Sequence, residues 1–325
     1  MGYLVTRIHD ATALRAFREN PELYRLRHEL HLVPVARDAA PDSGTAFHAA
    51  LKRWFDTYEL DEALAALRAA WPEDTLTTQL FGVAPPEKRP FTLFERLMRG
   101  YAERWPQERE GFEVVANEAY LEGEFSVTAS GRSGEPDPAT LTADSAKSKP
   151  READPTPASV TRFAWCGIRD LKVRYADASE YVVDHKSTSG WLNAEFFAAL
   201  DLDVQMCGYV GLEIVNGRRC DGYLVDAIHV DTRGHKVDPA RDFVRHGPVN
   251  VPEWKRTRWA RDVEYTLRQI EALRAERGID APWPMYANFK FGKVDAYKPF
   301  YETPAELHAL ERGNFVHEPW VPRDR

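Results

Sequence analysis

The chain is poor in cysteine, with only Cys166, Cys207 and Cys220 among its 325 residues. Three scattered thiols provide no disulfide framework and suit a reducing compartment. Long apolar runs are lacking too: no stretch approaches the roughly 20 residues of a membrane span. The N-terminus does not have the basic-then-apolar layout of a secretory signal. The expectation is therefore a soluble, cytoplasmic protein with no membrane partner. An excess of positive charge is also absent. The net charge of −8 argues against a protein that coats DNA, although a local basic groove can coexist with an acidic exterior. Between Thr128 and Ala158 there is no aromatic residue, and Leu141 is the one large aliphatic. Such a segment cannot bury enough apolar area to offset the entropy of ordering it, so 128–158 reads as a disordered insertion between two strands. No internal repeat is visible.

What is present is an ordinary globular composition, 43% hydrophobic, long enough for one elaborate domain or two small ones. Its most informative stretch is Val182-Val183-Asp184-His185-Lys186. In a strand, alternate side chains share a face, so Asp184 and Lys186 point one way and Val183 and His185 the other. A carboxylate able to hold a divalent metal then lies beside an ammonium able to orient an attacking oxygen, as metal-assisted phosphodiester hydrolysis requires. An acid–lysine pair on a solvated strand edge gives the same short pattern. Upstream, Gly167-Ile168-Arg169-Asp170 leads into Leu171-Lys172-Val173-Arg174-Tyr175, which alternates as a half-buried strand does. Residues 175–179 have turn composition, and Glu180 to Lys186 forms the returning strand. Asp170 and Asp184 then lie together at the end of the hairpin far from the turn. Two converging carboxylates repel unless a cation sits between them, and Mg2+ favours oxygen ligands.

Downstream, Phe196 to Val215 reads as one helix stopped by Asn216-Gly217. Gln205 and Tyr209 share a face of it, placed either to hydrogen-bond a phosphate or to brace Lys186. Near the N-terminus, Asp42 or Ser43 is available to cap a helix that carries His48 in its first turns. Residues 1–40 read as a short helix and an extended segment, 43–70 as a helical arm, Pro72 to Arg89 as loop and Phe91 to Trp105 as a helix. Strands are expected from about Glu113. Arg218-Arg219, Arg241 to Arg245, and Lys255-Arg256-Thr257-Arg258 with Trp254 and Trp259 are basic stretches. The last opens a helix running to about Arg277, either as a solvated face with routine ion pairs or as a DNA track.

The order Gly-x-x-x-His, Gly-x-x-Asp, Asp-x-Lys, Gln-x-x-x-Tyr resembles the RecB-like branch of the PD-(D/E)XK nuclease superfamily, the type found in CRISPR adaptation and phage exonucleases. Asn20-Pro21-Glu22-Leu23-Tyr24 resembles the family's opening segment, Phe112 to Phe125 the strands before the hairpin, Gly222 to Val230 the strand after the Gln/Tyr helix, and Trp283-Pro284 onward its C-terminal segment. The resemblance implies an α/β fold with a restriction-endonuclease-like core, a mixed central sheet flanked by helices, and helical N- and C-terminal segments. It divides the chain into 1–112, carrying the motif histidine, a nuclease core at 113–230, and a C-terminal helix and aromatic-rich tail at 231–325 packing on the core. It implies His48, Asp170, Asp184 and the backbone carbonyl of His185 as ligands of Mg2+ or Mn2+. Lys186 would activate water, with Asp184 and Asp170 beside it in catalysis. Gln205 and Tyr209 would support the site and contact DNA, and Glu118 matches an acidic position found in some members.

Many relatives carry four cysteines around an iron–sulfur cluster. Asn20 stands at the first of those positions here and the C-terminal segment has none; four thiolates are normally needed, so no cluster is expected. Tyr286, Phe289, Phe291, Tyr297, Phe300 and Tyr301 either close the two ends together by packing or, with Lys290, Lys293 and Lys298, touch nucleic acid. The implied activity is a metal-dependent DNA exonuclease in recombination, repair or phage DNA processing, with a recombination or helicase partner plausible for the family. A structure-specific endonuclease of the same fold and an inactive DNA-binding or assembly protein are the alternatives.

Overall fold

The computed structural model describes residues 3–34, 39–71, 89–107, 110–128, 160–201, 203–234, 236–285, 297, 300–301 and 315–319. The expected insertion at 128–158 and the loop at 72–89 fall almost wholly outside them. Strand β1 (Tyr3–His9) opens the chain, followed by α1 (Ala11–Glu19) and α2 (Pro21–Tyr24). A π-helical turn (Arg25–Glu29) leads to β2 (Leu32–Pro34), then α3 (Ala39–Thr57), α4 (Leu60–Ala70) and α5 (Phe91–Arg104). Strands β3 (Phe112–Ala116), β4 (Ala119–Thr128), β5 (Val160–Arg169), β6 (Leu171–Tyr175) and β7 (Glu180–Thr188) follow. Helices α6 (Ala194–Asp201) and α7 (Val204–Val215), strands β8 (Gly222–His229) and β9 (Phe243–Asn250), helix α8 (Glu253–Arg277) and strand β10 (Phe315–His317) complete the order. Among the described residues no helix is long and apolar enough to cross a membrane.

The principal sheet is mixed, in the order β3-β6-β7-β8-β9, with β7 and β8 parallel and the other pairs antiparallel. A second sheet, β1-β5-β4, joins β1 to β5 in parallel. Asp170 is the single residue between β5 and β6, so the chain crosses from one sheet to the other at that carboxylate. Strands β7 and β8 are buried on both faces, as a parallel pair under helices must be. Val182, Tyr223, Val225 and Ala227 join one core with residues of α1, α7 and α8. Tyr181, Val183, Leu224 and Ile228 join a second core under α3, α4 and α5. Each such Leu, Val or Ile buried contributes roughly 1.5–3 kcal/mol.

Several expectations need correction. Strands begin well before residue 113, because β1 completes the edge of β5 and β2 pairs with β10. The His48 helix starts at Ala39, not at residue 43, so Ser43 is a buried interior residue rather than a cap; Pro41 lies in its first turn, where a missing N–H breaks no helical bond. The arm 43–70 is two helices, parted at Tyr58, whose φ is +55°. Phe196 to Val215 is likewise two helices. The Asp203 carboxylate accepts the Gln205 backbone N–H at 2.7 Å and restarts the helix, an N-cap that displaces continuation. The stop at Asn216-Gly217 stands, with Gly217 at φ +74°.

The two chain ends meet. The Glu22 carboxylate pairs with the buried Arg25 and accepts the Trp283 backbone N–H at 2.6 Å, while Tyr24 stacks on Trp283 with ring centroids 6.0 Å apart. Tyr297 and Phe300 pack with Leu26, Leu32 and Phe315 in a small third core, so these two tail aromatics serve packing. Tyr286, Phe289, Phe291 and the three tail lysines lie outside the described residues.

Candidate active site

The β6–β7 hairpin has the register that alternation demands: Leu171 opposes Val183 and Arg174 opposes Glu180. Asp177 caps the turn by accepting the Ser179 N–H at 2.9 Å, and Ala178 takes φ +64°. One step beyond Leu171, Asp170 Oδ2 accepts the His185 backbone N–H at 2.8 Å. A strand residue's N–H and C=O point to the same edge, so the His185 carbonyl also faces the side where Asp170 sits. The two carboxylates are thus brought to one end of the hairpin.

On the opposite face from His185, Lys186 Nζ lies 3.0 Å from Asp184 Oδ1 and 2.8 Å from Oδ2. It also donates to Gln205 Oε1 at 3.1 Å. Gln205 Nε2 in turn reaches Asp184 Oδ1 at 3.3 Å and the Tyr209 hydroxyl at 2.6 Å. Gln205 and Tyr209 therefore brace the acid–lysine pair. Gly167, the glycine of Gly-x-x-Asp, has a reason in this packing: a Cβ there would sit 2.7 Å from the Tyr209 ring.

From the second core, α3 brings His48 in, its Nδ1 3.3 Å from Asp170 Oδ1. The ligand atoms of His48, Asp170 and the His185 ring all lie within 4.8 Å of one another. Burial opposes charge on His48, but the charge of Asp170 and its hydrogen bond more than offset this and raise its pKa. Burial likewise works against ionised Asp170, yet His48 and the hydrogen bond at His185 hold that carboxyl well below the usual range. Asp184 is pushed up, by burial above all and by the charge of Asp170, against the pull of Lys186.

These residues fit a divalent cation. Asp184 Oδ2 is buried and has no hydrogen-bond partner, only the Lys186 charge nearby. The Asp170 carboxylate and the imidazoles of His48 and His185 converge from three separate elements, with Asp184 outside that group; oxygen donors suit Mg2+ and Mn2+, whereas imidazole suits the later first-row metals.

Glu118 is held elsewhere. It pairs with Lys52 of α3 at 2.9 Å, one turn along from His48, and among the described residues it touches neither Asp170 nor Asp184. The basic stretches are mostly spoken for: Arg218 pairs with Glu213, Arg219 with Asp221, and Arg245 is almost wholly buried on Asp226 and Glu110. Trp259 turns into the first core, donating its indole N–H to the Val204 carbonyl at 2.9 Å, while Trp254 is exposed.

Two features escaped sequence reasoning. Arg15 of α1 donates to Gln205 Oε1 at 2.9 Å and pairs with Asp203, bringing an exposed cation to the Lys186 face. Behind the site, the His185 ring lies between Asp170 (3.5 Å) and Asp226 (3.8 Å). Asp226 is itself fixed by Tyr101 at 2.6 Å and by Arg245. An acid inside the apolar run Gly222–Val230 was a signal for Asp226; nothing local marked Arg15.

No curated protein matches this chain. The sequence pattern of the PD-(D/E)XK nuclease superfamily matches residues 11–278, an interval that holds the His48, Asp170, Asp184–Lys186 and Gln205–Tyr209 motifs. Superfamily nucleases are typically metal-dependent phosphodiesterases. With a mixed sheet flanked by helices and its motif residues gathered at the end of one hairpin, this chain belongs to the PD-(D/E)XK nuclease superfamily.

Proposed function

We propose that the protein is a metal-dependent DNA exonuclease of the RecB-like branch, acting in the cytoplasm in recombination, repair or phage DNA processing, with a recombination or helicase partner. The observation that carries this reading is the convergence of Asp184, Lys186 and Gln205 on one side of β7 with His48 and Asp170 at its edge. The motif order supports the branch, and action at ends is the reading taken from the branch's phage exonucleases. In this reading the nuclease core is 113–230, residues 1–112 contribute His48 and Arg15, and 231–325 supplies packing.

His48, Asp170, Asp184 and the carbonyl of His185 would hold Mg2+ or Mn2+. The His185 carbonyl is preferred over its ring as a ligand because that ring is buried against Phe55 and Tyr101. The chemistry supplied by the bound cation is a lowered pKa for water and polarisation of the phosphoryl oxygen. Lys186, poised by Asp184 and Gln205, orients the attacking water and offsets charge building on the phosphate. Gln205 and Tyr209 keep Lys186 in register, and Arg15 adds a phosphate contact at the rim. Glu118 acts at one remove, through Lys52 on the His48 helix.

The test is cleavage of end-labelled linear DNA and of closed circular DNA with Mg2+, Mn2+ or chelator. The expected result is metal-dependent loss of linear DNA only, abolished in Lys186→Ala and in Asp184→Ala, with both variants folded. Full activity in either variant removes the site assignment. Cutting of the circle replaces the exonuclease reading with an endonuclease.

A further inference from the structure

Past the end of β7 the chain is pinned to the parallel pair. Gly190 N–H donates to Thr188 Oγ1 at 3.0 Å, and Val230 N–H to the Thr188 carbonyl at 2.7 Å. The next residue, Trp191, is 74% exposed, yet it is not loose. Its indole stacks on the His229 imidazole, with centroids 5.8 Å apart and planes 9° from parallel. His229 is anchored in turn, its Nδ1 3.1 Å from Asp242 Oδ1. Asp242 is fully buried and also takes Arg241 Nε at 2.9 Å and the Asp238 backbone N–H at 2.8 Å. A cavity of about 340 Å³ opens here, lined by Trp191, Leu192, Asn193, His229, Arg241 and Asp242. Its floor is polar and fixed, its wall is an aromatic plane, and the Arg241 side chain is about half exposed.

The location ties this cavity to the chemistry. Thr188 opposes His229 in the β7–β8 ladder and is two residues from Lys186 on the same face, a distance of roughly 7 Å along a strand. A flat ring supported from behind suits a π-faced ligand, while the Arg241 guanidinium at its rim is paired with Asp242. Inside a duplex both faces of a base are already stacked, so the exposed indole face is open to an unpaired base or to the free outer face of a terminal pair.

We propose that Trp191, backed by His229, is a stacking platform for an unpaired nucleobase of the DNA strand next to the scissile phosphate. The assignment rests on the nuclease reading above and narrows its substrate to a single strand or a frayed end.

The test measures binding of a fluorescein-labelled 20-mer (~20 nucleotides, enough to cover one site) of oligothymidylate, and of a dumbbell duplex closed at both ends by non-nucleotide linkers, so that it has no unpaired base, in Ca2+. Trp191→Ala is expected to weaken oligothymidylate binding by about tenfold and to leave the dumbbell at the wild-type affinity, while Trp191→Phe restores most of the loss. A single abasic residue moved along the oligonucleotide is expected to weaken wild-type binding at one register, and this register dependence disappears in Trp191→Ala. Unchanged oligothymidylate binding in Trp191→Ala, or an equal loss on both probes, overturns the platform and leaves the nuclease reading standing if the wild type still cleaves DNA. A wild type that neither binds nor cleaves any DNA overturns both.

Discussion

His9, at the end of β1, has nearly no exposure and an Nε2 with no hydrogen-bond partner. Burial, with Arg274 second, pushes its pKa from 6.5 down to about 4. Between those values the unfolded chain takes up a proton that the folded chain refuses. Stability is therefore full above pH ~6.5 and falls as the pH drops toward 4, by on the order of 3 kcal/mol. Urea unfolding at pH 7 and pH 5 checks this: the fall expected in the wild type is smaller in His9→Leu. At the same scale, Asp184 and Lys186 were legible in the sequence because strand alternation alone puts them on one face. That Gln205 and Tyr209 share one helix face was legible, and the structure sets Gln205 in hydrogen-bond contact with Lys186 and Asp184. Arg15 was not legible, since its bond to Gln205 spans 190 residues and depends on how α1 crosses α7.

Among elements, α7 lies unusually close to the strands beneath it. A Cβ at Gly208 would meet Trp165 at 2.7 Å, one at Gly123 would meet Val215 at 2.5 Å, and one at Gly167 would meet Tyr209 at 2.7 Å. Gly167→Ala is expected to displace the Tyr209 ring, lower stability by about 1–3 kcal/mol and slow cleavage through the Gln205 brace. Thermal unfolding and the cleavage rate test it together; an unchanged rate separates Tyr209 from the site. The hairpin and the α5 and α8 helices could be read from periodicity. The break between α6 and α7 could have been read from Asp201-Leu202-Asp203, but the continuing apolar spacing on both sides masks it. The start of α3 was missed because a local capping signal at residues 42–43 competes with a helix already begun.

For the molecule as a whole, strands β4 and β5 pair along their length up to Thr128 opposite Val160. The residues that flank the segment are therefore adjacent, so that in a shortened chain a short turn would suffice to join them. Deleting residues 131–155 is expected to leave the melting temperature and metal-dependent cleavage close to wild type; loss of either assigns that segment a role. The alternation of strands and helices was visible in the sequence, but the pairing of β1 with β5 and of β2 with β10 was not. These contacts join residues 150 or more positions apart, and nothing in a local window records them.

The crossing at Asp170 gives the site an unusual dependence on the rest of the protein. The carboxylate is the corner of the chain between two sheets, whereas Asp184 belongs wholly to one of them. If either sheet slides or tilts, the gap between the two acids changes at once, with no loop to absorb the movement. Apolar substitutions deep in either core thus act as remote adjustments of carboxylate spacing. A search for inactive but folded variants should recover them alongside the polar residues themselves.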